Sequence, residues 1–471
     1  MYLKTYSLSN FCRILFACVL SYLSLFLLSF IFIIVFGSDK LGSYISIILS
    51  VIFATYVFTK FLSLKFERKE KLIILLSLIV KVAIGLGHFL IFFQKDYFST
   101  TSDYNNFIDY YWMHDSIRFL SNEILDKGYF NALSLEYFAI NKGAFIFFLY
   151  APFYAISGDY VMNISLINVF FIQIATILLW YFIENYFSIS IARRKNLFLV
   201  LLFFPYGFFS SITMRDFAGM FLLVFGSISL CFSIFNKRLV YLLIFSIFLF
   251  YCQRKNYAFI PIIIFFIYTL KETVSDLGNG KNFFRLFVNL FYLVLGGVFT
   301  FYLFNFVISN DLLVLTESFD SEYVKSSINP KFYIFLPFFL LKSLLGAFPW
   351  TQFLELSEIT VYQPAEYLTS TYIFTILIVF LRKNKITLNY KIFHPFYFSF
   401  LLLMLLGVGS GYMHLTYVSF PLFFLLPLLV TSDTVSAYFL TSVFVFISFI
   451  MLSIISYLFI SGNDIWRILF S

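Results

Sequence analysis

The chain has 471 residues, of which 61% are hydrophobic and 12% are charged, and its mean hydropathy is +0.93. Soluble domains are close to half apolar and a quarter charged, so this composition excludes an ordinary soluble protein and is typical of a chain embedded in lipid. The net charge of +8 predicts no nucleic-acid partner, because most basic residues lie in short segments between apolar runs, where they set membrane orientation.

Apolar runs of membrane-helix length follow one another along the chain. A crossing helix needs about 20 mainly apolar residues, and shorter ones occur where tilt or neighbouring helices compensate. We therefore predict an all-α polytopic membrane protein with about 11–14 transmembrane helices in a single integral membrane domain, residues 1–471. The predicted spans are residues 11–37, 41–63, 72–94, 160–187, 197–213, 217–235, 239–252, 257–270, 286–308, 366–381, 391–409, 415–431 and 436–460.

Basic clusters between the spans predict which ends share one side of the membrane. The clusters are Lys65/Arg68/Lys69/Lys71, Arg193/Arg194/Lys195, Lys237/Arg238, Lys271/Lys281/Arg285 and Arg382/Lys383/Lys385. With a cytoplasmic N-terminus and a retained first span, all of them are cytoplasmic, provided that the short Pro-containing segments 144–157 and 332–349 do not cross. Two long external loops result, 95–143 and 309–365, and we expect short interfacial helices in them.

Ionisable residues in or beside membrane spans are energetically costly and are therefore candidates for function. With this sidedness, the notable ones gather at the external face. They are Asp103, Asp109, His114, Asp115 and Arg118 in the first loop, Arg215 and Asp216 in SSITMRDFAGM, Arg254 and Lys255 in YCQRKNYAF, Lys342 in the second loop and His414 in GYMHLTY. We interpret Lys81 and His88, inside the third span, as satisfied by neighbouring helices, and His394 as structural.

Glycosyl transfer from a lipid-phosphate donor needs a base for the acceptor hydroxyl and cations for the departing phosphate. The candidate catalytic residues are Asp115, Asp103 and His414, the candidate phosphate ligands are Arg215, Arg254 and Lys255, and the supporting residues are Asp216, Arg118 and Lys342. The alternatives are solvated loop positions for the aspartates and contacts with lipid phosphates for the arginines.

Several established sequence signatures are missing. The chain has no phosphate-binding P-loop, GxGxxG, HExxH or GxSxG motif, which disfavours ATP-driven transport and metalloprotease activity. Its four cysteines lie in or beside apolar stretches without metal-ligand spacing, and we interpret them as small membrane-embedded hydrophobic residues.

Residues 112–235 contain four segments of interest, HDSIRFLSNEILDKGYFNALSLEYF, KGAFIFFLYAPFYAISGDYVMNISLINVFF, ARRKN and FFPYGFFSSITMRDFAGMFLL. Together these segments resemble the GT-C superfamily of polytopic glycosyltransferases. The MRD turn followed by QRKNY also looks like O-antigen (oligosaccharide repeat-unit) polymerases, and GYMHLTYVSFPLFFLLP is similar to a stretch late in those proteins.

The resemblance implies Asp115 as the acidic residue of the first loop, Arg215 with Asp216 as the second motif, and Arg254 and His414 as contacts of the lipid diphosphate or the acceptor. Many relatives carry paired acids where this chain has Asp115 alone, so no cofactor is expected and a divalent metal is left open. His414 stands where Arg is common.

The function implied is a bacterial inner-membrane glycosyltransferase that acts on the periplasmic face in cell-surface polysaccharide assembly or polymerisation. Its partners would be an undecaprenyl-type (polyprenyl-(di)phosphate) glycan donor, a glycan acceptor, membrane lipids and other polysaccharide-assembly proteins. The alternative is a lipid-linked oligosaccharide flippase. A flippase predicts two similar halves and charges at mid-membrane, whereas the chain shows no half-repeat and gathers its charges at one face, which favours the enzyme.

Overall fold

The computed structural model describes residues 6–62, 68–93, 108–129, 144–187, 201–202, 216–278 and 394–409. Regular structure in these ranges is helical throughout. The α-helices described there are α1 (Leu8–Phe36), α2 (Lys40–Phe61), α3 (Arg68–Phe93), α4 (Ile108–Lys127), α5 (Ala144–Ser157), α6 (Val161–Tyr186), α7 (Asp216–Phe235), α8 (Tyr241–Gln253), α9 (Phe259–Gly278) and α10 (Pro395–Gly409). Two short 3₁₀ turns, Lys237–Leu239 and Lys255–Ala258, precede α8 and α9.

The protein is an all-α polytopic membrane protein, as predicted. Among the described helices, four have the length and apolar composition needed to cross a membrane, namely Leu8–Phe36, Lys40–Phe61, Met162–Tyr186 and Phe217–Phe235. The predicted spans 286–308, 366–381, 415–431 and 436–460 and the second external loop lie outside the described residues, as does nearly all of 197–213. The total number of spans therefore stays a prediction.

The α1–α2 hairpin has a side-chain cap at its start and two glycines at its turn. The hydroxyl oxygen of Ser7 accepts a hydrogen bond from the Asn10 N–H at 3.3 Å and caps the start of α1. At the other end Gly37 has φ 93°, a left-handed conformation that glycine adopts without strain. A Cβ on Gly42 would overlap the carbonyl oxygen of Phe36, so the turn between the helices has no room for a side chain there.

α2 packs against α1 and α6 through a face of small residues. Ser43, Ser46, Ser50 and Ala54 are buried and recur at intervals of three or four, which lets the helix backbones approach closely. The hydroxyls of Ser46 and Ser50 donate to the carbonyls of Gly42 and Ser46 at 2.7 Å, so the packed face leaves neither hydroxyl unsatisfied.

α6 and α7 form the centre of the bundle. In the most apolar 18-residue stretch of each helix, every residue of α6 and 94% of the residues of α7 are buried, whereas only 22% of those of α1 are buried. α1 is therefore the less enclosed helix of the described bundle, while α6 and α7 carry the internal contacts. A hydrogen bond of 2.8 Å between the hydroxyls of Ser227 and Ser399 joins α7 to α10.

Contacts between distant residues define two ends of the bundle. At the N-terminal end, marked by Tyr6, Asn236, Lys237 and Glu272, the Asn236 amide donates to the Tyr6 carbonyl at 2.7 Å and Lys237 pairs with Glu272 at 2.7 Å. The described members of the predicted cytoplasmic clusters lie on this side of the bundle, and the membrane face to which this side belongs stays a prediction. These cluster members are Arg68, Lys69, Lys71, Lys237, Arg238 and Lys271.

The opposite end, called the distal end, is marked by Ser43, Ser157 and Asn163. The Asn163 amide donates to the hydroxyls of Ser43 at 2.9 Å and Ser157 at 2.8 Å, which ties together the start of α2, the end of α5 and the start of α6.

The 14 residues of α5 span about 21 Å, less than the ~30 Å hydrocarbon core. The Leu149 carbonyl of α5 accepts from Tyr22, halfway along α1, at 3.0 Å, while Ser157 reaches the distal end. This course fits the prediction that segment 144–157 does not cross the membrane.

Candidate functional site

Two glycines bring α7 and α8 into close antiparallel contact. A Cβ on Gly219, in the first turn of α7, would overlap the side-chain amide of Gln253, the last residue of α8. Further along, a Cβ on Gly226 would lie 2.8 Å from the Phe250 ring, and the Ser246 hydroxyl donates to the Gly226 carbonyl at 2.8 Å. The start of α7 at Asp216 and the QRKNY motif therefore lie side by side at the distal end.

Arg254 stands directly after this contact. Its backbone is extended (φ −154°, ψ 137°), and its N–H donates to the Phe250 carbonyl at 3.1 Å. The guanidinium carbon lies 5.8 Å from the centre of the Tyr257 ring, a cation–π distance, and the side chain is half-buried. Because Gly219 contacts Gln253, Arg254 lies within about one helical turn of Asp216, where α7 begins. Gly219, Gln253 and Arg254 are called the α7–α8 tip below.

A second cluster of polar residues lies at the distal end, between α4 and α5. The Nδ1 atom of His114 lies 2.9 Å from the Tyr154 hydroxyl. The Arg118 Nε donates to an Asp159 carboxylate oxygen at 2.8 Å, and the two side chains are 58% and 46% exposed. Asp115 is exposed on α4. His114, Asp115, Arg118, Tyr154 and Asp159 are called the α4–α5 cluster below.

Helical periodicity explains why these polar side chains gather on α4. Met113, Ile117 and Leu120 recur every three or four residues and are buried, and α4 packs closely against α5. The charged residues Asp115 and Arg118 therefore remain on the outer face of the helix. α5 in turn also contacts α7 and α8, the two helices that carry the α7–α8 tip.

The surroundings of His114 favour its neutral imidazole. Burial lowers the pKa of His114 below its ordinary value of 6.5, and the charge of Arg118 acts in the same direction. The charges of Asp115 and Asp159 oppose this shift but do not reverse it. At neutral pH, His114 is therefore an uncharged group that is able to accept a proton.

The structure describes some of the sequence-predicted site residues in full and others in part. Asp115 and Arg118 lie together on α4, and Arg254 lies at the α7–α8 tip. Asp216 begins α7 and Lys255 begins the turn after Arg254, but the side chains of both lie outside the described part of the chain. Four further predicted residues fall outside the described ranges altogether, namely Asp103, Arg215, Lys342 and His414.

The sequence pattern predicted no role for Tyr154, Asp159 or Gln253, and it indicated His114 only as an external polar residue. The signal for His114 was its position four residues before Arg118, which places both on one helical face. The partners Tyr154 and Asp159 carry no comparable signal, because their contacts depend on how α5 packs against α4.

Lys81, a charged residue in the interior of the bundle, contributes to the packing of one helix against another. Its Nζ lies 2.6 Å from the Gln173 side-chain oxygen, and the Gln173 amide donates to the Ser77 hydroxyl at 3.1 Å and the Ile74 carbonyl at 3.3 Å. Lys81 is 1% exposed. This network joins α3 to α6, in agreement with the interpretation that Lys81 is satisfied by a neighbouring helix. The side chain of His88 lies outside the described part.

His394 packs against Phe187 and Phe235, with ring centres 4.6 and 5.2 Å away, and its Nδ1 accepts from the Phe396 N–H at 3.3 Å. It is a structural residue, as predicted. All four cysteines are free. Within the described ranges, no group of three His, Cys, Asp or Glu side chains is placed to hold one metal ion.

Comparison with known proteins finds no relative of the chain. No protein-family model, curated protein or solved structure matches the chain. The protein is therefore placed by its own fold, as an all-α polytopic membrane protein with two polar groups at the distal end of its bundle.

Proposed function

We propose that the chain is a glycosyltransferase whose site lies at the distal end of the bundle, on the periplasmic face of a bacterial inner membrane. The donor is a polyprenyl-(di)phosphate-linked sugar or oligosaccharide, and the product belongs to a cell-surface polysaccharide. The observation that carries the proposal is the half-buried Arg254, held against Tyr257 at the same end of the bundle as the α4–α5 cluster.

Arg254 suits the role of phosphate ligand for physical reasons. A guanidinium remains charged at every physiological pH and binds phosphate oxygens through paired hydrogen bonds. Partial burial weakens the competition from water, so the same charge stabilises a departing phosphate more strongly than it would on an open surface. Arg215, next to Asp216 at the start of α7, and Lys255, next to Arg254, supply further positive charge within a few residues of this point.

The α4–α5 cluster supplies groups for the acceptor. Glycosyl transfer requires that the acceptor hydroxyl lose its proton as it attacks the sugar, and a positioned carboxylate or imidazole accelerates this step. Asp115 and His114 are the described candidates, and Asp103 and His414 are the further sequence-predicted ones. Because α5 contacts α4, α7 and α8, it links the donor-binding and acceptor-binding residues of the proposed site.

The test uses the purified full chain in nanodiscs. Undecaprenyl-diphosphate oligosaccharide and polyprenyl-phosphate sugar are supplied in parallel, with and without a divalent metal, and glycan products are followed by gel and mass spectrometry. Wild type should form a longer glycan with one donor, and Arg254→Ala should lower the rate about 10²–10³-fold, the usual loss when one transition-state charge contact is removed.

The matched control is Arg238→Ala, which removes an exposed arginine near the other end of α8 and should leave the rate within about twofold of wild type, as exposed charges usually do. A wild-type protein that makes no glycan but moves the lipid-linked oligosaccharide between leaflets would instead be a flippase. Equal losses in the two variants would contradict the assignment of Arg254.

A further inference from the structure

The histidine of the α4–α5 cluster has a geometry that differs from that of its acidic neighbour. His114 is half-buried and its Nδ1 is in hydrogen-bond contact with Tyr154 at 2.9 Å, whereas Asp115 projects from α4 as an exposed side chain. The His114 and Tyr154 rings are also in edge-on contact, with centres 5.6 Å apart. Both contacts fix the imidazole relative to α5, while none of the described side chains of α5 makes such a contact with the exposed carboxylate.

We infer that His114 accepts the proton of the acceptor sugar's hydroxyl in the proposed glycosyl transfer, and that Tyr154 is the positioning residue that orients its ring. This inference rests on the proposed function and names the base within it. In the tautomer that donates from Nδ1 to the Tyr154 oxygen, the other ring nitrogen, Nε2, carries the lone pair that takes the proton.

Basicity favours the imidazole over the carboxylate. A general base works best when its pKa lies near the working pH, and the reference pKa of an imidazole, about 6.5, lies closer to neutral pH than that of a carboxyl group, about 4. Burial of His114 keeps it neutral before the reaction, and the charges of Asp115 and Asp159 stabilise the imidazolium that forms. Asp115 therefore assists the base through its charge.

The proposed glycosyl transfer needs no reactant besides the donor and the acceptor. The acceptor oxygen forms a bond to the anomeric carbon while the bond between that carbon and the donor's phosphate oxygen breaks. The hydroxyl proton passes to Nε2 of His114, and the electron pair leaves with the phosphate, whose charge Arg254 stabilises. The imidazolium then gives its proton to water, which restores the neutral base.

The groups that face His114 predict the pH dependence of kcat/KM. They are Asp115 and Arg118 on α4, Tyr154 on α5 and Asp159 after α5. Activity needs neutral His114, so it should fall as the pH drops below the pKa of this residue. Asp115→Asn removes a charge that raises this pKa and should move the acidic limb to lower pH. Arg118→Gln removes a charge that lowers it and should move the limb to higher pH.

The experiment measures kcat/KM from pH 5 to 9 for the full chain in nanodiscs, with the donor on which wild type is active. His114→Ala should lose about 10²–10⁴-fold in rate and recover part of it when free imidazole is added, since general-base catalysis contributes on this scale. Tyr154→Phe should lose less than His114→Ala. Asp126→Asn, which changes an exposed aspartate later on α4, is the control and should behave as wild type.

The outcomes separate the inference from the function on which it rests. If wild type transfers sugar and His114→Ala keeps its rate within about threefold, or if the acidic limb persists unchanged in that variant, another residue is the base. If wild type transfers no sugar from either donor, the proposed function itself fails. His114→Gln, which retains a side-chain amide for Tyr154, replaces the alanine variant if the latter does not fold, and it should be equally inactive.

Discussion

The two ends of the bundle are built from different kinds of contact. At the N-terminal end, aromatic rings pack on one another. The centre of the Tyr6 ring lies 4.6 Å from that of Tyr186 and 4.7 Å from that of Phe235, and Phe187 contacts His394. At the distal end the described contacts include polar ones that join separate elements, namely the Asn163 hydrogen bonds and the Arg118–Asp159 ion pair.

This difference predicts that the residues important for stability and those important for catalysis lie at opposite ends of the bundle. The packed rings at the N-terminal end carry no charge, and the charged groups of that end, such as the Lys237–Glu272 ion pair, lie beside them and are partly exposed. Half-exposed charged groups contribute little to stability, but they are the groups that bind phosphates and move protons. We therefore expect substitutions at the N-terminal end to change stability with little effect on the intrinsic rate, and those at the α7–α8 tip to do the opposite.

The largest effect on stability should come from Tyr186→Ala at the N-terminal end. The Tyr186 side chain is 6% exposed and its ring packs against Tyr6, Phe182 and Phe232, so truncation leaves a cavity among rings. We expect a loss of about 3 kcal/mol, measured by equilibrium unfolding in detergent. The remaining folded protein should keep its rate per molecule, and a loss of rate without a loss of stability would contradict the division between the two ends.

A smaller loss is expected for Asn163→Ala at the distal end. The Asn163 amide joins Ser43, Ser157 and Gly158, so its removal leaves buried hydroxyls of two other elements without this partner. The expected cost is about 2 kcal/mol in the same unfolding measurement. Asn185→Ala is the matched control on the same helix, because in the described part of the chain Asn185 donates to the Tyr181 carbonyl one turn away, and it should cost less than about 0.5 kcal/mol.

Gly219→Ala should change activity more than stability. The added methyl group displaces the Gln253 amide and with it the neighbouring Arg254, and small misplacements of binding groups are costly in catalysis. We expect about a tenfold fall in glycan formation. Gly226→Ala, deeper in the same hairpin, presses on the Phe250 ring and should lower the unfolding free energy instead. The reverse pattern would mean that the α7–α8 tip does not position Arg254.

Hydropathy predicted most of the described helices because lipid imposes one rule on every span. α1, α2, α6 and α7 match predicted spans 11–37, 41–63, 160–187 and 217–235 within a few residues. The rule says nothing about where a helix continues in water. α9 runs to Gly278, past the predicted end of its span at 270, and this polar extension carries Glu272, which pairs with Lys237.

The candidate site was predicted only where single residues carry a signal. Arg254 and Asp115 stand out because charges are rare in this chain. Gln253, Tyr154 and Asp159 do not, since each becomes informative only through a partner from another helix or loop. Gly219 is the clearest such case. A glycine in an apolar helix has many uses, and its contact with Gln253 follows only from the packing of α8 against α7.

The smallest effect should come from Tyr186→Phe, which tests whether rings alone hold the N-terminal end. The Tyr186 hydroxyl is buried and, in the described structure, makes no hydrogen bond. A buried hydroxyl in this state is a cost, so its removal should leave stability unchanged or raise it by up to about 1 kcal/mol, in contrast to Tyr186→Ala. Equilibrium unfolding of the two variants side by side makes the comparison. A phenylalanine variant as unstable as the alanine variant would show that the hydroxyl, and not the ring, secures this end.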